Sequence, residues 1–142
     1  MILVDTSVIV AWMDPSHPEH RVCRQALDFW AGRDQLAVSS VTYAELAAGA
    51  RNREDVDEDL RPFQRLELDF NAAWGAGQRF RQYRPAKGDS PVLPDFLIRG
   101  QAAPLSLPHL TNDRRRLTVW PDVDFIFPDK GRGESAAARR LV

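Results

Sequence analysis

MILVDTSVIV, residues Met1 to Val10, is the stretch whose reading decides the fold. Met1-Ile2-Leu3-Val4 is an apolar run too short for a helix, and it suits a strand buried on both faces, as in a parallel sheet. Asp5 stops it. Thr6 and Ser7 are helix-capping residue types, and Val8, Ile9 and Trp12 recur at the spacing of one helix face. The segment reads strand, carboxylate, helix. In open parallel sheets the ligand crevice lies outside the carboxyl ends of the strands, which makes Asp5 a candidate site residue; the plain alternative is a helix cap.

Composition sets the bounds. A chain of 142 residues with 44% hydrophobic content supports one domain with a proper core. The formal net charge of −1 gives no global basic field for nucleic acid, so any such contact has to come from local patches or bound cations. Cys23 is the single cysteine, which excludes an internal disulfide and a multi-cysteine zinc site and points to a reducing compartment. No signal pattern and no apolar run of membrane-spanning length is seen, so the expectation is a cytoplasmic protein with no membrane segment.

Outward from the opening, strand and helix patterns alternate. Asp14 to Pro18 is a turn, and Glu19 to Trp30 a helix with Val22, Cys23, Ala26, Leu27 and Trp30 on one side. Cys23 reads as a small buried hydrophobe, and His17 and His20 as surface residues. Leu36 to Val38 is a second strand. Tyr43, Leu46, Ala47 and Ala50 mark a helix on which Glu45 stands off the apolar stripe, beside Ala48 and Gly49; Thr42 and Glu45 also fit a capping box. The acidic run 54–59 is a solvated helix face around Val56, Leu60 and Phe63. Leu66 to Leu68 suggests a third strand, Asp69 a cap, and Phe70, Trp74, Gly77 and Phe80 the core side of the next helix. Pro94-Asp95 opens another helix. Residues 105–110 suggest a strand weakened by Pro108, ending at Thr111-Asn112-Asp113, and Val123 to Phe127 a last short strand. The predicted organisation is one domain over 1–127 and a flexible basic tail over 128–142.

Asp5, Glu45, Asp95 and Asp113 all fall at or just past strand–helix junctions, which gather at one edge of a right-handed α/β sheet. Four carboxylates in one pocket raise one another's pKa unless cations compensate them. An all-oxygen donor set suits Mg²⁺ or Mn²⁺ rather than zinc. Ions so held activate water and orient a phosphodiester for in-line attack. Thr111 is placed to support the site through its hydroxyl, and Arg114, Arg115 and Arg116 to contact phosphates, unless the arginine run is merely a solvated surface.

Four segments carry a family likeness: Ile2-Leu3-Val4-Asp5-Thr6-Ser7, Val41-Thr42-Tyr43-Ala44-Glu45-Leu46, Leu93-Pro94-Asp95-Phe96-Leu97-Ile98 and Leu110-Thr111-Asn112-Asp113-Arg114. In this order and spacing the chain resembles a PIN-domain ribonuclease, and within that superfamily a VapC-type toxin of a toxin–antitoxin pair. The resemblance implies a three-layer α/β/α sandwich with a mostly parallel central sheet, RNA cleavage with Mg²⁺ or Mn²⁺, a homodimer and a cognate antitoxin. Carried over by position, Asp5 and Asp95 are the primary metal ligands. Asp113 is a further ligand of a metal or its water, and Glu45 a water-orienting or second-metal carboxylate. Thr111 and Thr6 are supporting hydroxyls, and the helices over 19–30 and 55–63 would receive the antitoxin. Three features depart from the family pattern: Arg99-Gly100 where small residues are expected, Leu117 where an aromatic is usual, and the tail beyond Phe127.

Two other readings compete. A degenerate domain of the same fold would bind RNA or a partner without cutting, and retention of four acids argues against it. A receiver-like phosphoacceptor would want an acidic pair after the first strand and a late lysine after a strand; Asp5 is single, and the late lysine, Lys130, falls in the tail.

Overall fold

Alternation within three residues sets the layers. In the computed structural model, which describes residues 1–129, β1 (Ile2–Val4) is followed by α1 (Thr6–Met13), α2 (His20–Ala31), β2 (Leu36–Ser39) and α3 (Ser40–Gly49). Then come α4 (Arg53–Asp59), β3 (Gln64–Leu66), α5 (Phe70–Gln82), α6 (Leu93–Ala102), β4 (His109–Leu110) and β5 (Phe125–Ile126). Ile2 and Val4 join a core with Val8 and Ile9 of α1, Val22 and Leu27 of α2, Val56 of α4 and Leu60 just after it. Leu3 points the other way, into a second core with Phe96, Ile98 and Ala102 of α6, Trp120 and Phe125. Burying each such side chain contributes about 1.5–3 kcal/mol, so β1 anchors both layers of an α/β/α sandwich.

All five strands are parallel, in the order β3-β2-β1-β4-β5. The chain steps outward from β1 through β2 to β3, then returns to place β4 on the other side of β1, with Leu3 opposite His109 and Val4 opposite Leu110. The topological switch point therefore lies between the carboxyl ends of β1 and β4, where Asp5 and Thr111 emerge. This order differs from the 2-1-3-4-5 of receiver-type sheets, which removes the phosphoacceptor reading.

Several elements depart from their expected form. The third strand is Gln64–Leu66, two residues before the expected run. It is an edge strand with exposed Gln64 and Arg65, so it carries no apolar signature. The backbone beyond it bonds to side chains instead: Gln101 Nε2 donates to the carbonyls of Leu66 and Glu67, and Leu68 N donates to Ser40 Oγ. β4 is only two residues long; Pro108 precedes it and Ser106 adopts a left-handed φ of 51°.

The core side of α5 is the main correction. Phe70 and Trp74 are 94% and 72% exposed, while Ala72 and Ala76 are buried. Phe80 does pack inward, edge-on to Phe96. The cause is the crossing of α5 and α6: a Cβ on Gly100 would lie 2.6 Å from Ala76 Cβ. Helices this close admit only small residues along their seam, so the large aromatics face away. Of the expected tail, residues 130–142 lie outside the described residues.

Candidate active site

Asp5 occupies the N-cap position of α1, yet its side chain makes no capping bond. Its backbone carbonyl accepts from Val8 N and Ile9 N instead. The carboxylate is thereby left for the pocket. Oδ2 accepts from Ser7 Oγ (2.6 Å) and Thr111 Oγ1 (2.9 Å), while Oδ1 faces His109 Nε2 at 4.0 Å. His109 is wholly buried in β4, where Nδ1 is bonded to the Leu3 carbonyl (3.0 Å) and Nε2 has no hydrogen-bond partner. Burial pushes the imidazole below its ordinary pKa, against the pull of Asp5.

Thr111 is the link between the two central strands. Its N–H donates to the Ile126 carbonyl, its hydroxyl donates to Asp5, and the same oxygen accepts from Asp113 N (3.0 Å). One buried side chain thus orients one acid and fixes the backbone of another. Ser7 plays a similar part from α1, bonding Asp5 and accepting from Asn112 N. Asn112 reaches on to Cys23 Sγ, which is buried as expected, with its thiol pKa raised by desolvation.

Glu45 stands at the rim of the pocket on α3. Ser39, not Thr42, caps that helix, so the capping box is not formed. Glu45 Oε1 instead accepts from Thr6 Oγ1 (2.8 Å), which is also hydrogen-bonded to Thr42 Oγ1 (2.9 Å). Desolvation raises the Glu45 pKa; the Thr6 bond opposes it, and the charges of Asp5 and Asp95 reinforce it. Asp95, in the first turn of α6, is raised in the same way, by burial and then by Asp5 and Asp113.

Asp113 differs. Arg115 binds both its oxygens, Nε to Oδ1 at 2.9 Å and Nη2 to Oδ2 at 3.1 Å, and Arg115 N adds a third bond. Burial alone would raise its pKa, but these bonds and the charge of Arg99 outweigh burial and hold it below the ordinary value. Among the described residues no three His, Cys, Asp or Glu side chains are close enough to grip one ion together. The four expected acids therefore share a field without closing into a ready-made cage, with Asp113 turned to its arginine.

The expected phosphate contacts divide. Arg115 is engaged with Asp113, though 64% of its side chain is exposed. Arg114 lies over the Phe127 ring and lines a cleft with Glu19 and Asn112. Arg116 is buried against Asp89, on the loop before α6. The cation that sequence reading left without a role is Arg99, sealed under the loop of Asp113. His17 and His20 are half-buried, each with Nδ1 hydrogen-bonded to backbone, and take no part in the pocket.

A parallel α/β sandwich with acids at the switch point and no cysteine or histidine ligand set defines an acid-pocket α/β domain. The family model of the PIN domain matches residues 2–125, and the chain belongs to that family. No curated protein matches the sequence. Among solved structures the chain is similar to FitAcB from Neisseria gonorrhoeae (26% identity, 88% of this chain and 96% of that one, TM-score 0.64). It is similar in fold to VapBC2 from Rickettsia felis, solved bound to a DNA fragment from its promoter (20%, 91% and 100%, TM-score 0.70). It also resembles the Mycobacterium tuberculosis VapC20, described as a sarcin-ricin loop cleaving toxin (13%, 87% and 98%, TM-score 0.65).

Proposed function

We infer that this protein is a metal-dependent endoribonuclease and the toxin of a toxin–antitoxin pair. The observation that carries the reading is the gathering of Asp5 at the end of β1 with Glu45, pushed up in pKa by burial and by the charges of Asp5 and Asp95, and Asp95, pushed up by burial and by the charges of Asp5 and Asp113. Such a set is incomplete without a cation. Its donors are carboxylate and hydroxyl oxygens, which fit Mg²⁺ or Mn²⁺. Asp5 and Asp95 would hold it, with Glu45 and Asp113 acting on its waters from either side.

Bound there, the ion would supply a polarised water and neutralise charge on the phosphate under attack. The chain does the rest. Ser7 and Thr111 fix Asp5 Oδ2 and with it the direction of the carboxylate, and Thr6 fixes Glu45 Oε1, leaving Oε2 to take the proton of the attacking water. A raised pKa suits Glu45 to that task. Arg115, exposed at the rim, is the arginine placed to meet a phosphate. With a net charge near zero, attraction for RNA has to be this local.

The antitoxin, the homodimer and a cytoplasmic location belong to the same reading. Support for the antitoxin comes from the resemblance to proteins solved as toxin–antitoxin complexes. Among the described residues no helix is long and apolar enough to cross a membrane. The test is cleavage of a labelled cellular RNA pool by the purified protein with Mg²⁺ or Mn²⁺, with chelator, and with Asp5→Asn as contamination control. Cutting that needs both metal and Asp5 supports the reading. Binding of RNA without cutting under every condition would turn it to the degenerate, non-cleaving domain.

A further inference from the structure

Three of the four acids are aimed by side chains: Asp5 by Ser7 and Thr111, Glu45 by Thr6, and Asp113 by Arg115. Asp95 is not. Among the described residues no hydrogen bond reaches its carboxylate, and its ion pair is with Arg116, whose Nη1 stands 3.8 Å from Asp95 Oδ2, beyond hydrogen-bonding reach. Arg116 is engaged on the loop before α6 instead. Its Nε donates to both oxygens of Asp89 (3.2 and 3.0 Å) and its Nη2 to Asp89 Oδ1 (2.5 Å), while Asp89 also accepts from Tyr83 Oη at the end of α5.

Only 3% of the Arg116 side chain is exposed. A guanidinium stays protonated in a protein, and a sealed one without a partner is strongly unfavourable, so it goes to a carboxylate within reach. Asp89 and Asp95 both lie within reach. Asp89 holds it by charge-assisted bonds on both oxygens, and the same bonds hold the Asp89 carboxyl down at about 2. Arg116 does this from a left-handed backbone (φ 60°), a conformation that a residue with a Cβ keeps only where tertiary contacts demand it.

We propose that Asp89 is a positioning residue of the pocket: by engaging the Arg116 guanidinium it keeps that cation from closing on Asp95, so the Asp95 carboxylate stays open to the pocket. The inference rests on the nuclease reading, in which Asp95 is a metal ligand, and deepens it by adding a residue that touches neither ion nor RNA. Without the charge of Asp89, Arg116 closes the 3.8 Å gap and bonds to Asp95. Oxygen lone pairs given to a guanidinium are withdrawn from a metal. A mere staple between the loops before α6 and after β4 makes a different demand: there the loss of either partner harms the site, and the loss of both harms it no less.

The experiment compares Asp89→Asn, Arg116→Gly and the double variant in the full chain, read by unfolding and by cleavage. In urea with chelator, Asp95→Asn should leave the midpoint of the otherwise wild-type chain unchanged or slightly raised. Added to Asp89→Asn it should lower the midpoint, because Asp95 has become the partner of a buried cation. That change of sign is read without any activity. In cleavage at a fixed Mn²⁺ concentration, Asp89→Asn should lose roughly tenfold or more in kcat, as removal of a group behind a metal ligand does, with KM for RNA little changed. Arg116→Gly, which suits the left-handed φ, should lose less than Asp89→Asn, and added to Asp89→Asn it should restore most of the lost rate. If Asp89→Asn does not fold, Arg116→Gly decides alone, and a loss as large as that of Asp95→Asn overturns the proposal. The same sign for Asp95→Asn in both backgrounds, or a double variant no faster than Asp89→Asn, also overturns it and leaves a structural staple. Absence of metal-dependent cleavage in the wild type, with the change of sign present, counts against the nuclease reading and supports the pairing proposed for Asp89, Arg116 and Asp95.

Discussion

Asp5 and Asp113 emerge from the carboxyl ends of neighbouring strands, yet the protein holds them in opposite ways. Asp5 is oriented by two neutral hydroxyls, Ser7 and Thr111, and its nearby acids Glu45 and Asp95 are raised in pKa. Asp113 is oriented by the cationic Arg115 and lowered. A hydroxyl fixes direction without supplying charge, so the Asp5 side keeps its demand for a cation; a guanidinium fixes direction and meets that demand. The difference divides one acidic pocket into a side that calls for an ion and a side that has its cation in the chain.

The strongest way to break the comparison is Asp5→Asn. The reading expects loss of RNA cleavage by roughly a hundredfold or more, beyond what is usual for residues that only support a metal ligand. Single-turnover cleavage at saturating Mn²⁺ checks it, and near-wild-type activity would take Asp5 out of the site. Thr111→Val, similar in shape, removes the buried hydroxyl that serves both sides. Activity should fall by about 10- to 100-fold, with a stability loss of about 1–3 kcal/mol from the stranded N–H of Asp113 and the lost bond to Asp5. Urea denaturation alongside kinetics separates the two effects.

Stability in chelator sharpens the comparison by sign. Asp113→Asn leaves the paired arginines without their carboxylate and should destabilise the metal-free protein by about 1.5–3 kcal/mol, the usual worth of hydrogen bonds to a charged group. Asp95→Asn relieves repulsion and should be neutral or stabilise the metal-free protein slightly at pH 7.

The smallest effect is the pH dependence. Asp95 and Glu45 have folded pKa values above their unfolded ones, so they bind more protons folded than unfolded, and their contribution falls as pH rises through the shifted values. Asp113 is lowered, so its contribution is present above its unfolded pKa and lost as pH falls through the folded one. The melting-temperature advantage of Asp95→Asn over wild type in chelator should therefore grow as pH rises from acid toward neutral, and that of wild type over Asp113→Asn should shrink as pH falls below the carboxylate range. Parallel profiles for the two variants would erase the distinction between the sides.

Much of the frame was legible because it is written in local pattern. Three apolar residues ending at an acid announce β1, and Asp69 followed by a helix announces the α5 cap, which the structure forms through Ala72 N. Edge strand β3 was not legible in place, since Gln64 and Arg65 pair through backbone and leave their side chains in water. The face of α5 was misread because Phe70 and Trp74 have the spacing of a core stripe while Gly100, thirty residues away in sequence, leaves room only for alanine. His109 gave no signal within its strand, and Arg99 showed only as a residue where a small one is expected.

The sequence by itself determined that the domain is a parallel α/β fold, and which acids end its strands or open its helices, because hydrophobic period and residue type act over a few positions. The tertiary structure alone decided which of those acids carries a cation already. That choice depends on Arg99 of α6 lying under the loop after β4, on Arg115 folding back onto Asp113, and on Thr6 of α1 reaching Glu45 of α3. Charges interact through space and through the low dielectric between packed elements, and no local pattern in the chain records those distances.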